Sequence, residues 1–168
     1  MALGRLVLGA TLCLLAPAAI GVDRDAAVVE KLGQFRETGI ALYKKRCAKV
    51  LRTTRKSVAN AHDPSVMDTI RTVHCPGLEI STYRANFSTP PIDIPGAVVL
   101  SGSNRELPSR LRVGSSRRAV ETVFGAPDSE ESGTADYHVR TEGPGADVVS
   151  FEYKDGRVKR VLWSFHIE

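Results

Sequence analysis

The end of the chain carries the pattern that most restricts its fold. Residues 147–167 alternate apolar and polar side chains around Lys154-Asp155-Gly156, which is typical of an antiparallel hairpin. A two-residue turn at Asp155-Gly156 would place Phe151 and Trp163 on opposite faces, so we predict a three-residue turn with Gly156 in the left-handed conformation. One face is then apolar: Val149, Phe151, Tyr153, Val161, Trp163, Phe165 and Ile167. The other face carries Ser150, Glu152, Arg160, Ser164 and His166.

A second hairpin is predicted over residues 68–84, where Pro76-Gly77 has the composition of a type II turn. Pairing Cys75 with Leu78 separates the apolar side chains from most of the polar ones. One face then consists of Val73, Cys75, Leu78 and Ile80, and the other of Ile70, His74, Glu79 and Tyr83. Residues 94–100 and 136–141 are predicted to be further strands.

Two short helices are predicted from their capping residues and apolar spacing. The first covers Asp23–Gly33 and the second Ser115–Gly125, each with a capping side chain at its start and a glycine at its end. Residues 38–60 fit either a helix or a strand, and we favour a helix followed by a strand near Ser57. Since a hairpin follows each helix, the pattern predicts an internal repeat.

The residues around the second helix carry a resemblance to a known family. They are Leu111-Arg112-Val113-Gly114-Ser115-Ser116, then Val120, then Phe124-Gly125-Ala126-Pro127. This segment resembles the repeat of SmpA/OmlA-type outer-membrane assembly lipoproteins and of β-lactamase-inhibitor-like proteins, although their lipobox is missing. The resemblance covers residues 111–167, with a weaker counterpart in 23–84. It implies an α+β fold, with a helix packed on an antiparallel sheet in each of two tandem repeats, 22–100 and 111–168, joined by 101–110.

The start of the chain has the features of a secretory signal peptide. Arg5 precedes the apolar run Leu6–Leu15, and Ala19-Ile20-Gly21 fits a small-residue cleavage site. The run is shorter than the ~20 residues that span a bilayer, so we expect residues 1–21 to be cleaved and the protein to be periplasmic or secreted. Export leaves Cys47 and Cys75, which an oxidising compartment would pair in a disulfide. A metal site is the alternative, but only His74 is adjacent in sequence.

Catalytic motifs are absent from the sequence. The chain contains no H-E-x-x-H and no G-x-S-x-G, and it suggests no cofactor, no metal and no nucleic-acid partner. Charged residues make up 25% and hydrophobic residues 42% of the chain, as in ordinary globular proteins. We therefore expect a non-catalytic bacterial envelope protein that binds another protein. The alternatives are an inhibitor of a secreted hydrolase of the β-lactamase or lysozyme type, and a small enzyme.

Two sets of residues are candidates for binding. The polar faces of the two hairpins supply the partner-binding candidates Tyr83, Glu152, Arg160 and His166, because Tyr and Arg are enriched at interface hot spots. The second set is a basic run without any acidic residue, which favours an anionic lipid or cell-wall surface. Its members are Lys44, Lys45, Arg46, Lys49, Arg52, Arg55 and Lys56.

Overall fold

The computed structural model describes residues 24–45, 47–141 and 145–167. The expected signal peptide, the predicted cap Asp23 and Arg46 of the basic run lie outside the described residues. In chain order the elements are α1 (Ala26–Lys44), β1 (Arg52–Ala59), β2 (Met67–Cys75), β3 (Leu78–Ala85), β4 (Ile92–Leu100), α2 (Arg117–Phe124), β5 (Ser129–Glu131), β6 (Thr134–Arg140), β7 (Ala146–Lys154) and β8 (Arg157–Ser164). The fold is therefore α+β, as the sequence predicts.

The strands form one antiparallel sheet of eight strands in the order β1-β2-β3-β4-β8-β7-β6-β5. Each helix is followed by four strands in which sequence neighbours pair, here named the first meander (β1–β4) and the second meander (β5–β8). The two meanders join where β4 pairs with β8. A continuous sheet results, with the last strand of each meander at its centre.

Both helices pack on the same face of this sheet, here named the helix side. Phe35 of α1 contacts the ring of Trp163 with centroids 5.1 Å apart, and Phe124 of α2 contacts Tyr137 at 5.4 Å. The indole Nε1 of Trp163 also donates to the carbonyl of Phe35 at 3.0 Å. The main hydrophobic core draws on α1, α2, β4, β6, β7 and β8, and contains no described side chain of β1 or β2. The outer part of the first meander therefore extends beyond the helices.

The final hairpin differs from the predicted turn but keeps the predicted faces. Lys154 pairs directly with Arg157, so the turn has two residues, Asp155 (φ 52°) and Gly156 (φ 70°). Positive φ at both positions is the type I′ geometry that matches strand twist. A bulge between Glu152 and Tyr153 then shifts the register by one residue. This shift restores Phe151 and Trp163 to the same face, where both are buried.

The first helix is longer than predicted. It does not end at Gly33 but continues to Lys44, and its cap is Asp25, whose carboxylate accepts from the amide of Ala27 at 2.8 Å. Its buried residues recur at helical spacing through the whole segment: Leu32, Phe35, Gly39 and Leu42. Burial of this stripe offsets the cost of about 1 kcal/mol that a glycine imposes inside a helix. The second helix is confirmed, with Ser116 as its cap and Gly125 at its end.

The first hairpin and the disulfide are also confirmed. Cys75 pairs with Leu78 across the turn, and the faces of β2 and β3 divide as predicted. Cys47 is bonded to Cys75 with a Cα–Cα distance of 6.2 Å, within the usual range for a disulfide. The bond ties the segment that follows α1 to the end of β2. Residues 38–60 form a helix end and then the strand β1, which agrees with the favoured alternative.

Candidate partner-binding face

No described helix packs on the face of the sheet opposite to α1 and α2, which is here named the open face. Strand register identifies the side chains that share it. The open face includes Arg52, Thr54 and Lys56 of β1, Ile70, Thr72 and His74 of β2, Glu79, Ser81 and Tyr83 of β3, Ile94, Ala97 and Val99 of β4, Arg160, Leu162 and Ser164 of β8, Val148, Ser150 and Glu152 of β7, and Thr134, Asp136 and His138 of β6.

An apolar centre lies where the two meanders join. Val99 of β4 and Leu162 of β8 are direct cross-strand partners, and Ala97 pairs with Ser164 in the neighbouring position. These four side chains are half-buried. Val99 also pairs with Glu79 on its other side, and Leu162 pairs with Ser150 on its other side, so one charged and one polar side chain flank the apolar centre. An apolar centre with a polar rim is the usual anatomy of a protein interface.

Tyr83 lies at one end of the open face, and its hydroxyl group serves a buried network. It donates to the carboxylate of Asp68, a fully buried side chain that also accepts from the Asn86 amide at 2.7 Å and from Asn60 Nδ2 at 2.7 Å. The backbone bond from Asn86 is the largest cause that lowers the pKa of Asp68, followed by the bond from Tyr83. The same contact raises the pKa of Tyr83. Tyr83 is thus a structural residue, and its replacement will alter stability as well as the surface.

Glu152 and Arg160 lie together on the second meander. They are cross-strand partners, and Arg160 Nε donates to Glu152 Oε2 at 2.5 Å. Lys159, the residue beside Arg160 at the bulge, donates to Oε1 at 2.9 Å. The Lys159 hydrogen bond is the largest cause that lowers the pKa of Glu152, with Arg160 adding to it. Both oxygens of this carboxylate are therefore already bound within the chain.

The structure separates Tyr83 from the Glu152–Arg160 pair. Tyr83 is opposite Ile94 near the start of β4, whereas Val161, beside Arg160, is opposite Leu100 at its end. At ~3.3 Å per residue, the two positions are roughly 20 Å apart along the strands. The partner-binding residues chosen from the sequence therefore occupy two ends of the face. The sequence did not lead us to the centre between them, Val99 and Leu162. The signal that indicates it is an apolar residue at a polar-face position in each of two strands.

His166 follows the end of β8 and is exposed. Its amide donates to Asp147 Oδ1 at 2.7 Å, and its imidazole ring packs over Gly145. Arg36 of α1 also donates to the buried Asp147 carboxylate, which fixes this end of the sheet to the helix. His166 therefore lies beside Asp147 just beyond the end of β8. Because the Phe165 amide donates to the Gly96 carbonyl and Tyr83 is opposite Ile94, His166 is at the same end of the strands as Tyr83, with β4 between them.

The basic run is divided by the fold. Lys44 ends α1, and Lys45 forms an ion pair with Glu106 at 2.5 Å. Lys49 lies in the exposed segment before β1. Within β1, the alternation of side chains places Arg52 and Lys56 on the open face and Arg55 on the helix side. The run is therefore not one continuous surface.

Among the described residues, no group of three or more His, Cys, Asp or Glu side chains could hold a metal ion. No helix in the described part of the chain is long and apolar enough to cross a membrane. Comparisons with protein-family models, curated proteins and solved structures find no match for this chain.

Proposed function

We propose that this chain is an exported, non-catalytic bacterial envelope protein that binds another protein through the open face. The observation that carries the proposal is the apolar centre of that face, in which Val99 and Leu162 pair between Glu79 and Ser150 and no described helix covers them. Burial of such a centre is a main source of affinity in protein interfaces.

The arrangement of the elements supports this proposal. A helix followed by a four-strand meander occurs twice, and the two meanders combine into one sheet surface. That order is compatible with the repeats implied by the resemblance to SmpA/OmlA-type and β-lactamase-inhibitor-like proteins. The Cys47–Cys75 bond is compatible with export, because disulfides persist in oxidising compartments.

The residues of the face would contribute in different ways. Val99 and Leu162 would supply the area that loses water on binding. Glu152 and Arg160 form an ion pair at one end of the open face, and rim charges of this kind affect the association rate and its salt dependence more than the affinity. A partner with a matching apolar contact and mixed charge at its edge fits this face.

A pair of substitutions tests the proposal. Leu162→Glu places a carboxylate at the apolar centre, whereas Val29→Glu places one on an exposed apolar position of α1, 52% accessible. We expect immobilised wild-type protein to retain a defined protein from an envelope extract, Val29→Glu to retain it equally, and Leu162→Glu to lose it. Equal retention by Leu162→Glu would exclude the open face as the binding surface.

The second candidate is a proteinaceous inhibitor of a secreted hydrolase. The continuous sheet formed by both meanders favours it, since it accords with the resemblance to β-lactamase-inhibitor-like proteins. Assays against a β-lactamase and a lysozyme discriminate between the two candidates. Inhibition by wild type that Leu162→Glu abolishes identifies an inhibitor, whereas retention of a partner without inhibition identifies a binding module alone.

A further inference from the structure

A group of arginines gathers on the helix side of the first meander. Arg55 of β1 and Arg71 of β2 are direct cross-strand partners, and Arg71 is paired in turn with Thr82 of β3. In the neighbouring cross-strand row, Thr69 pairs with Arg84. Only Arg55 belongs to the basic run of the sequence; the other two arginines come from strands that the fold brings beside it.

The helices end before they reach this group. The last turn of α1 contacts the sheet through Tyr43, whose hydroxyl is 3.2 Å from the hydroxyl of Thr82. Beyond that contact, Arg55, Arg71 and Arg84 are exposed. The group of arginines is therefore open to solvent, and the end of α1 bounds it on one side.

The charges of the group are incompletely balanced. Arg84 binds Asp93 through Nε–Oδ1 at 2.8 Å and Nη2–Oδ2 at 3.5 Å. Neither Arg55 nor Arg71 has a carboxylate within 4.0 Å in the part of the chain that the structure describes. Like charges in directly opposed positions of a sheet are destabilising. An anion between the two guanidinium groups would remove this cost.

A small cavity lies between these side chains. It has a volume of about 80 Å³ and is lined by Arg55, Thr69, Arg71, Thr82, Arg84 and Asp93. This volume is large enough for several water molecules. It is therefore also large enough for a tetrahedral oxyanion. Guanidinium groups bind phosphate oxygens through paired N–H donors, and threonine hydroxyls can donate as well. Three guanidinium groups and one carboxylate together leave an excess of positive charge, which a dianion would balance.

We propose that this cavity is a binding site for a phosphate-sized dianion, held by Arg55 and Arg71 with Arg84 and the two threonines at its wall. The site is on the opposite side of the sheet from the proposed protein-binding face and does not depend on it. The ligand is either free phosphate or the phosphomonoester headgroup of a lipid, which share the same dianionic group.

Titration with inorganic phosphate at constant ionic strength, maintained with chloride, tests the site. Calorimetry should show saturable binding to the wild type, and the melting temperature should rise with phosphate. Loss of a hydrogen bond to a charged group predicts that Arg55→Gln and Arg71→Gln each weaken binding roughly tenfold or more. Arg52→Gln is the matched control, because it removes the same charge from the same strand on the open face.

Vesicles distinguish the two sources of the dianion. Phosphatidic acid vesicles that bind the wild type but not Arg55→Gln, in competition with free phosphate, identify a lipid headgroup. Phosphate binding without vesicle binding identifies a soluble ligand. The proposal is overturned if phosphate binds no better than chloride, or if Arg52→Gln weakens binding as much as Arg55→Gln. Melting temperatures without phosphate verify that each variant folds, and relief of the arginine pair should leave them equal to or above the wild type.

Discussion

Gly39 of α1 lies directly against the indole ring of Trp163 on the sheet. A Cβ atom at Gly39 would be 2.5 Å from Trp163 Cδ1, whereas a Cβ at Gly33 of the same helix would meet nothing within 4 Å. The absence of a side chain at Gly39 lets the rings of Phe35 and Trp163 pack in a tilted arrangement with their centroids 5.1 Å apart. One glycine of α1 is therefore required by packing and the other is not.

This difference predicts opposite effects of the same substitution. Gly33→Ala should stabilise the protein by about 0.5–1 kcal/mol, because alanine favours the helix and fills open space. Gly39→Ala should destabilise it by about 1–3 kcal/mol, because the methyl group displaces the indole. Urea unfolding of both variants measures the free energies. Stabilisation by Gly39→Ala would show that α1 does not pack on Trp163 as described.

Neighbouring residues of β8 should separate stability from binding. Trp163 is 1% exposed on the helix side, so Trp163→Ala should destabilise by roughly 3–5 kcal/mol. Leu162→Ala removes a half-buried side chain from the open face and should cost far less, while weakening retention of a partner. Thermal unfolding and partner capture measure the two effects. If Trp163→Ala left stability unchanged and abolished capture, the two faces would be reversed.

The buried Asp68 network predicts a defined dependence on pH. Because the native pKa of Asp68 lies below that of an unfolded aspartate, about 3.9, its stabilisation is complete above that pH and is lost as pH falls through the native pKa. Asp68→Asn should lower the free energy of unfolding at neutral pH and flatten its decline in acid. Asp155→Asn, at the exposed hairpin turn, is the control and should change neither quantity. If the free energy of unfolding of Asp68→Asn declined in acid as steeply as that of the wild type, the network would be contradicted.

The disulfide predicts a simple result from thiol titration. Native protein exported to an oxidising compartment should show no free thiol from Cys47 or Cys75, which are 28 residues apart. Cys47→Ser should release one thiol and lower the melting temperature, since closing a loop of this length stabilises by roughly 3–4 kcal/mol in the chain-entropy model. The double variant Cys47→Ser/Cys75→Ser should match the single one. Two titratable thiols in the untreated protein would exclude the bond.

Alternation along each strand is a local property, and the sequence alone therefore determined which side chains share a face. The faces of β2, β3, β7 and β8 follow the predicted division, because side chains in a strand alternate regardless of what the sheet contacts. The ends of α2 are likewise local and were predicted: a serine cap at its start, which is Ser116, and Gly125 at its end. At the Asp155-Gly156 turn the predicted loop length was wrong, yet the faces agree because a bulge makes the same one-residue correction.

Several features of the fold depend on contacts between distant parts of the chain, and only the tertiary structure decided these. Continuation of α1 through Gly33 depends on burial of Phe35 and Leu42 against the sheet, which helix signals in the sequence do not contain. The pairing of Val99 with Leu162 depends on how the two meanders meet. The approach of Arg55 to Arg71 depends on strand register, and it converts one member of a linear basic run into part of a cavity. These features arise from long-range pairing, whose free energy is distributed over the whole sheet and leaves no local pattern in the sequence.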